Sequence, residues 1–175
     1  MENEPASLES PPPAQAPTAA AGITLTDRFA LAVASGLGSG YSPFAPGTAG
    51  TVVAIPFYFA LARLEPWLQI LTTLAFIAIA VFVATRAALY WGDSDDGRIV
   101  SDEIAGYLVA MALVPAEPKY LVAGFLFFRL FDIVKPWPAC WFDKRVHNGL
   151  GNVMDDVVAG LYARACMAAL VWFWP

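Results

Sequence analysis

The feature that most constrains this chain is an apolar stretch, Trp67–Trp91, that is long enough to cross a lipid bilayer as a helix. A second long run, Val157–Trp174, ends in an aromatic cluster of the kind found at membrane–water interfaces. The whole chain is similarly apolar: 58% of its residues are hydrophobic and 14% are charged, whereas soluble domains carry about 25% charged residues. We therefore predict an all-α fold, an integral membrane helical bundle. A tightly packed soluble helical protein is the alternative.

Shorter apolar runs accompany the two long ones: Phe29–Leu37, Thr51–Arg63, Ile104–Val114 and Tyr120–Val134. They fall short of the roughly 20 residues that a perpendicular helix needs to cross a bilayer, so we expect short or re-entrant helices. If the five runs from residue 51 onward traverse or enter the membrane in turn, the loops at 36–50, 92–103 and 135–156 lie on one side.

The length of 175 residues suggests a single domain. Residues 1–22 are rich in Pro, Ala, Glu and Ser and are predicted to form a disordered tail. Glu2, Glu4 and Glu9 argue against the basic start of a signal peptide. The membrane domain then covers residues 23–175. A net charge of -5 without a basic run excludes nucleic acid as an expected partner.

The carboxylates are concentrated in one part of the sequence. Ten of the fifteen acidic residues lie between Asp93 and Asp156, in or beside apolar segments. Isolated carboxylates are costly in apolar surroundings unless they are neutralised or paired. Too few basic residues lie nearby to pair with all of them, so a divalent cation is the simplest counter-ion.

The loop at residues 36–50, GLGSGYSPFAPGTAG, is rich in glycine, proline and hydroxyl side chains. Glycines let backbone N–H groups approach an anion, and the positive end of the following helix adds to this attraction. Thr48 is a candidate N-cap for a helix starting near Thr51. A tight helix–helix connection is the alternative reading of this loop.

Two further segments carry paired carboxylates. Asp102 and Glu103 precede one apolar run, and Asp155 and Asp156 precede the last one. Each pair is expected at a helix start, where it either favours the helix dipole or offers oxygen ligands to a hard cation such as Mg²⁺. The spacing of the acidic residues that begins at Asp93 does not fit a calcium-binding EF-hand loop, because Gly97 and Ile104 occupy positions that require ligands.

Arg129, Asp132 and Lys135 recur every three residues, which places them near one helix face, and Pro136 ends that helix. A structural ion pair between Asp132 and Lys135 is one interpretation. Charged groups at the edge of an apolar run are, however, functional candidates by default.

The three segments together resemble the phosphatidylglycerophosphatase A family. The resemblance covers roughly residues 29–174, and its matching pieces are GLGSGYSPFAPGTAG, DDGRIVSDEIAG and FRLFDIVKPWPACWFDKRVHNGLGNVMDDVVAG. It implies a Mg²⁺-dependent lipid phosphatase that hydrolyses phosphatidylglycerophosphate to phosphatidylglycerol and inorganic phosphate in the bacterial inner (plasma) membrane.

The resemblance also implies a set of site residues. The expected metal ligands are Asp95, Asp102, Glu103, Asp132, Asp155 and Asp156. The expected catalytic residues are Asp132, Lys135, Asp102 and Asp156. The expected phosphate-binding residues are Ser42, Gly47, Thr48, Arg98 and Lys135. Asp132 is a ligand or the general base, and both an activated water and a phosphoaspartate intermediate are open as mechanisms.

Other functions are compatible with parts of the pattern. An ion-coupled transporter would also place carboxylates in a membrane, but no pseudo-symmetric halves are visible. A CDP-alcohol phosphatidyltransferase would need more of its aspartate motif than Asp96-Gly97. The apolar runs predict a multi-pass protein. Basic residues are more numerous on the side of the membrane that carries the three segments, so we expect the active site to face the cytoplasm.

Overall fold

A computed structural model describes residues 23–174, which form seven α-helices and no β-strand. The helices are α1 (Leu25–Ala34), α2 (Pro46–Leu61), α3 (Pro66–Trp91), α4 (Ser101–Ala110), α5 (Pro118–Val134), α6 (Ala139–Arg145) and α7 (Gly149–Phe173). The predicted all-α fold is confirmed for this part of the chain. The tail predicted at residues 1–22 lies outside the described residues.

Two helices, α3 and α7, are long and apolar enough to cross a membrane, as the two long runs predicted. Helix α2 is apolar but shorter, and Pro56 lies inside it without ending it. Large apolar side chains on these helices are exposed, for example Leu74 and Phe82 on α3 and Leu161 on α7. Such a surface suits a helical membrane protein, because lipid covers what water would not.

Helix α4 forms the centre of the bundle. Nine of its ten residues are buried, and it packs against α2, α3, α5 and α7. Two glycines allow α4 and α7 to pack with their backbones in close approach: a Cβ atom on Gly160 would lie 2.3 Å from the carbonyl oxygen of Gly106. Any larger residue at either position would force the two helices apart, so this contact fixes where α7 sits against the start of α4.

Several helix starts differ from those predicted, including that of α1, which begins at Leu25 instead of Phe29. Helix α7 begins at Gly149, well before the apolar run, because the Asn148 side chain caps it by accepting hydrogen bonds from the backbone N–H groups of Leu150 and Gly151. Helix α2 begins at Pro46, a residue type whose fixed φ and missing N–H suit the first turn. Thr48 therefore lies inside the first turn, and its predicted capping role is wrong.

The segment between α5 and α7 contains one more helix than the sequence predicted. Helix α6 follows Pro136 and Pro138 and packs against α7. The starts of α2 and α4, the end of α5, helix α6 and the first turns of α7 all meet at one end of the bundle. The three sequence segments are thus brought together, as the counting of apolar runs predicted.

Candidate active site

A cavity of about 310 Å³ opens at this end of the bundle. Its lining is dominated by polar and acidic side chains, which come from all three sequence segments. The lining residues are Pro46, Gly47, Ser94, Asp95, Asp96, Gly97, Ile99, Asp102, Glu103, Asp132, Lys135, Asp143, Val146, His147, Asn152, Asp155 and Asp156.

Three carboxylates converge at the base of the cavity. Asp102 and Glu103 come from the first turn of α4 and Asp156 comes from α7, and one oxygen of each lies within 4.8 Å of the others. Asp102 is 9% exposed and Asp156 4% exposed. Oxygen ligands at such separations, drawn from two rigid helices, match the donor set that Mg²⁺ prefers.

The basic side chains nearby are already paired with other acids. Arg129 lies 2.5 Å from Asp132, and Lys135 contacts Asp143 and Asp155. Among residues 23–174, no salt bridge involves any of the three converging carboxylates. One oxygen of Glu103 is buried without a hydrogen-bond partner. Because buried anionic groups require compensation, the site fits a divalent cation.

Lys135 occupies the C-cap of α5 in a left-handed conformation, with φ at 45°. Its Nζ atom donates hydrogen bonds to Asp143 at 2.5 Å and to Asp155 at 2.6 Å. Burial alone would lower the pKa of Lys135, but its hydrogen bonds to Asp143 and Asp155 and the attraction of their charges outweigh burial and raise the pKa. Lys135 is therefore held as a charged ammonium group facing the cavity.

Gly47 lets helix α2 approach the carboxylates closely. A Cβ atom at this position would lie 2.2 Å from Oε1 of Glu103 and 3.1 Å from Nη1 of Arg129. The backbone of the first turn of α2 therefore borders the cavity directly, beside the two side chains. Its N–H groups add positive partial charge at this point.

Some predicted phosphate-binding residues lie away from the cavity lining. The Ser42 hydroxyl donates to the carbonyl of Phe44 at 2.8 Å, and neither Ser42 nor Thr48 lines the cavity. Arg98 pairs with Asp96 at 2.6 Å and lies over the Trp91 ring. A hydrogen bond from Arg98 lowers the pKa of Asp96, so this pair orders the loop before α4.

The expected metal ligands do not all belong to the cluster of three converging carboxylates. Asp102, Glu103 and Asp156 form the cluster, while Asp132 and Asp155 line the cavity with a basic partner each. Asp95 lines the cavity from the loop before α4, where its backbone N–H donates a hydrogen bond to the Asp93 carboxylate at 3.0 Å.

The sequence did not single out Asn152, and the resemblance marked Asp143 as an acidic family position without giving it a role. The Asn152 side chain donates to the carbonyl of Ser94 and thereby ties α7 to the loop before α4. Asn152 lies one helical turn before Asp155 and Asp156. That spacing would have identified it had the start of α7 been placed at Gly149 instead of Asp155.

Comparisons with known proteins place the chain in a family. The model of the family described as Phosphatidylglycerophosphatase A matches residues 32–171. The chain is 41% identical over 145 residues to a phosphatidylglycerophosphatase A of Escherichia coli (strain K12), covering 82% of this chain and 84% of the relative.

Two other relatives have similar coverage. A phosphatidylglycerophosphatase A of Haemophilus influenzae is 35% identical over 146 residues, 81% of this chain and 88% of the relative. A putative phosphatidylinositol-3-phosphatase of Bacteroides thetaiotaomicron is 36% identical over 151 residues, 80% of this chain and 92% of the relative. No solved structure matches the chain.

Proposed function

The chain belongs to the phosphatidylglycerophosphatase A family, and we propose that its acidic cavity hydrolyses phosphatidylglycerophosphate with a Mg²⁺ ion bound by Asp102, Glu103 and Asp156. The enzyme is a phosphoric monoester hydrolase, and its products are phosphatidylglycerol and inorganic phosphate. The observation that carries the metal proposal is the convergence of three carboxylates, two buried and Glu103 partly buried, none of which forms a salt bridge within residues 23–174. A Mg²⁺ ion held by these carboxylates would supply positive charge for the phosphoryl oxygens and would favour deprotonation of a nearby water.

Lys135 is the best-placed protein cation for the substrate phosphate. An ammonium group has three N–H donors, and Asp143 and Asp155 accept two of them. The third donor is available for a phosphoryl oxygen. The N–H groups at the start of α2, next to Gly47, add a second source of positive potential.

Asp132 is proposed as the group that accepts a proton during hydrolysis. It lines the cavity and its carboxylate is held by Arg129, so its position is fixed before substrate binds. A water molecule between Asp132 and the phosphorus would be oriented for attack opposite the glycerol oxygen. A direct attack by an aspartate, giving a phosphoaspartate, is the competing route.

We further propose a multi-pass arrangement in the bacterial inner (plasma) membrane, with the cavity facing the cytoplasm. Two membrane-length helices and the exposed apolar surface support membrane insertion. A cavity at one end of the bundle would let a phosphate enter from the headgroup layer while the acyl chains stay in the bilayer.

A phosphate-release assay on the purified protein tests the proposal. We expect turnover of phosphatidylglycerophosphate with Mg²⁺, loss of turnover in excess chelator, and recovery when Mg²⁺ is restored. Phosphatidylinositol 3-phosphate is the comparison substrate, because one relative bears that name. Undiminished turnover in chelator would refute the metal proposal. Faster turnover of the inositol lipid would refute phosphatidylglycerophosphate as the preferred substrate.

A further inference from the structure

Arg164 on α7 stands out among the charges that the proposed mechanism does not use. It lies half-buried within the apolar helix and forms no salt bridge with another residue of the range 23–174. It lines a second cavity of about 400 Å³, away from the acidic site. The other lining residues are Leu113, Ala168, Val171 and Trp172.

The position of Arg164 along α7 makes its charge costly. It lies eight residues beyond Asp156 and nine before Phe173, which corresponds to about 12 Å and about 13 Å along the helix axis. If α7 crosses the membrane, as proposed above, Arg164 lies near the middle of the segment below the active site. A charged side chain at that depth needs an anionic partner, water, or a route to the headgroup layer.

The end of α4 provides such a route. Helix α4 stops at Ala110, so it spans only about 15 Å. The segment at residues 111–117, which connects α4 to α5, is not helical. The turn is partly exposed at Leu113, whose backbone N–H is bound by the Gln69 side chain. Non-helical backbone at membrane depth is tolerated where it is buried in protein or lines a polar space. The face opposite the active site is therefore indented beside Arg164.

We propose that this groove, formed by Arg164, Leu113, Ala168, Val171 and Trp172, binds an anionic phospholipid of the leaflet opposite the active site. The lipid phosphate would lie between the Arg164 guanidinium and the Trp172 indole, both of which can donate hydrogen bonds. The acyl chains would follow the exposed apolar face of α7.

The chemistry of the groove favours an anionic lipid over the alternatives. Four of its five lining residues are apolar, so a free phosphate ion would lose most of its hydration in exchange for one guanidinium. A zwitterionic headgroup would bring a cation for which the lining offers no carboxylate. An anionic phospholipid satisfies both the charge of Arg164 and the apolar walls.

Lipid-dependent stabilisation of the full-length protein in detergent tests the proposal. We expect added dioleoyl phosphatidylglycerol to raise the melting temperature by several degrees and dioleoyl phosphatidylcholine or inorganic phosphate to have little effect. Arg164→Gln should lose at least half of that shift. Arg63→Gln is the matched control, because Arg63 is an exposed arginine at the same end of the bundle and outside the groove.

A second variant keeps the test decisive if Arg164→Gln fails to fold. Leu113→Glu places a carboxylate in the groove at a position that is 44% exposed, and it should also abolish the stabilisation by phosphatidylglycerol. The same variants should keep phosphatase activity, so loss of lipid binding is distinguishable from failure of the proposed function. An unchanged phosphatidylglycerol shift in Arg164→Gln or Leu113→Glu, or an equal shift with phosphatidylcholine, would overturn the site.

Discussion

At the residue scale, the proposed active site combines two kinds of carboxylate. Asp102 and Asp156 are buried and form no salt bridge with the residues that the structure describes, whereas Asp132 and Asp155 each have a basic partner. Removing one charge from a cluster that binds a cation weakens binding of the cation. The same change in a paired carboxylate leaves its basic partner unmatched. The two kinds of carboxylate should therefore respond differently to substitution.

The carboxylate variants test this difference. We expect Asp102→Asn, Glu103→Gln, Asp132→Asn and Asp156→Asn each to reduce turnover by at least about 100-fold, the scale of losing one electrostatic contact in a transition state. The Mg²⁺ concentration for half-maximal activity should rise for the three cluster residues. Glu65→Gln, at the N-cap of α3 outside the cavity, is the control, and near-normal rates in the four variants would refute the site.

Gly47 gives a steric test of the same site. Gly47→Ala would place a methyl group against Glu103 and Arg129, and we expect at least a tenfold loss of turnover. Gly97→Ala is the matched control: Gly97 also lines the cavity, but nothing lies within 4 Å of a Cβ atom built there. Equal rates for the two variants would show that the close approach of α2 is unnecessary.

Lys135 should contribute to stability as well as to catalysis. Asp155 is only 4% exposed, so Lys135→Gln leaves a buried carboxylate without its ammonium partner. We expect a loss of about 1–3 kcal/mol, between the ranges for exposed and buried ion pairs, seen as a lower melting temperature in detergent. The double variant Lys135→Gln/Asp155→Asn should recover part of the stability but not the activity. No recovery would indicate that the two side chains act independently.

At the element scale, the arrangement of the site is set by how α4 packs on α7. Gly106 and Gly160 allow the two backbones to touch, and the carboxylates of α4 then face Asp156. Substitution Gly160→Ala would push a methyl group into the Gly106 carbonyl. We expect a lower melting temperature and reduced turnover, with Leu161→Ala, at an exposed neighbouring position, as the control. A stable and fully active Gly160→Ala protein would contradict this account of the packing.

The same two helices show how far a sequence can locate its elements. The apolar run at Ile104–Val114, together with Asp102 and Glu103 before it, predicted the start of α4, but the run continues four residues beyond the helix end at Ala110. The run at Val157–Trp174 and the acidic pair before it placed the start of α7 near Asp155, six residues too late, because Gly149, Gly151 and Asn152 interrupt the hydropathy of its first turns. The start is decided by the Asn148 cap, a local hydrogen-bonding signal that hydropathy does not detect.

At the scale of the whole molecule, the order of apolar runs was enough to predict that three distant segments share one end of the bundle. Which side chains point into the cavity was less predictable. Ser42, Thr48 and Arg98 belong to the same segments as Gly47 and Asp102 but do not line it, because their positions depend on the loop conformations and the first turn of α2. Segment order follows from counting helices, whereas side-chain placement follows from packing.

The proposed orientation in the membrane gives the last prediction. The end of the bundle that carries the cavity holds most of the basic residues, including Lys144 and Arg145, against Arg63 and Lys119 at the other end. Basic residues in short loops are retained on the cytoplasmic side, so the cavity should face the cytoplasm. Single cysteines at exposed positions, Asp93→Cys and Lys144→Cys at the cavity end and Glu117→Cys at the other, report the side directly in intact cells.

An impermeant thiol reagent should label only Glu117→Cys from outside, in a background where Cys140 and Cys166 are replaced. Asp93→Cys and Lys144→Cys should become reactive only after the membrane is permeabilised, and this gain of labelling is the control that both thiols are accessible. Because all three motif segments share one end of the bundle, the two cavity-end cysteines must behave alike. Labelling of both from outside would reverse the orientation, and labelling of only one would contradict the shared end on which the proposed active site depends.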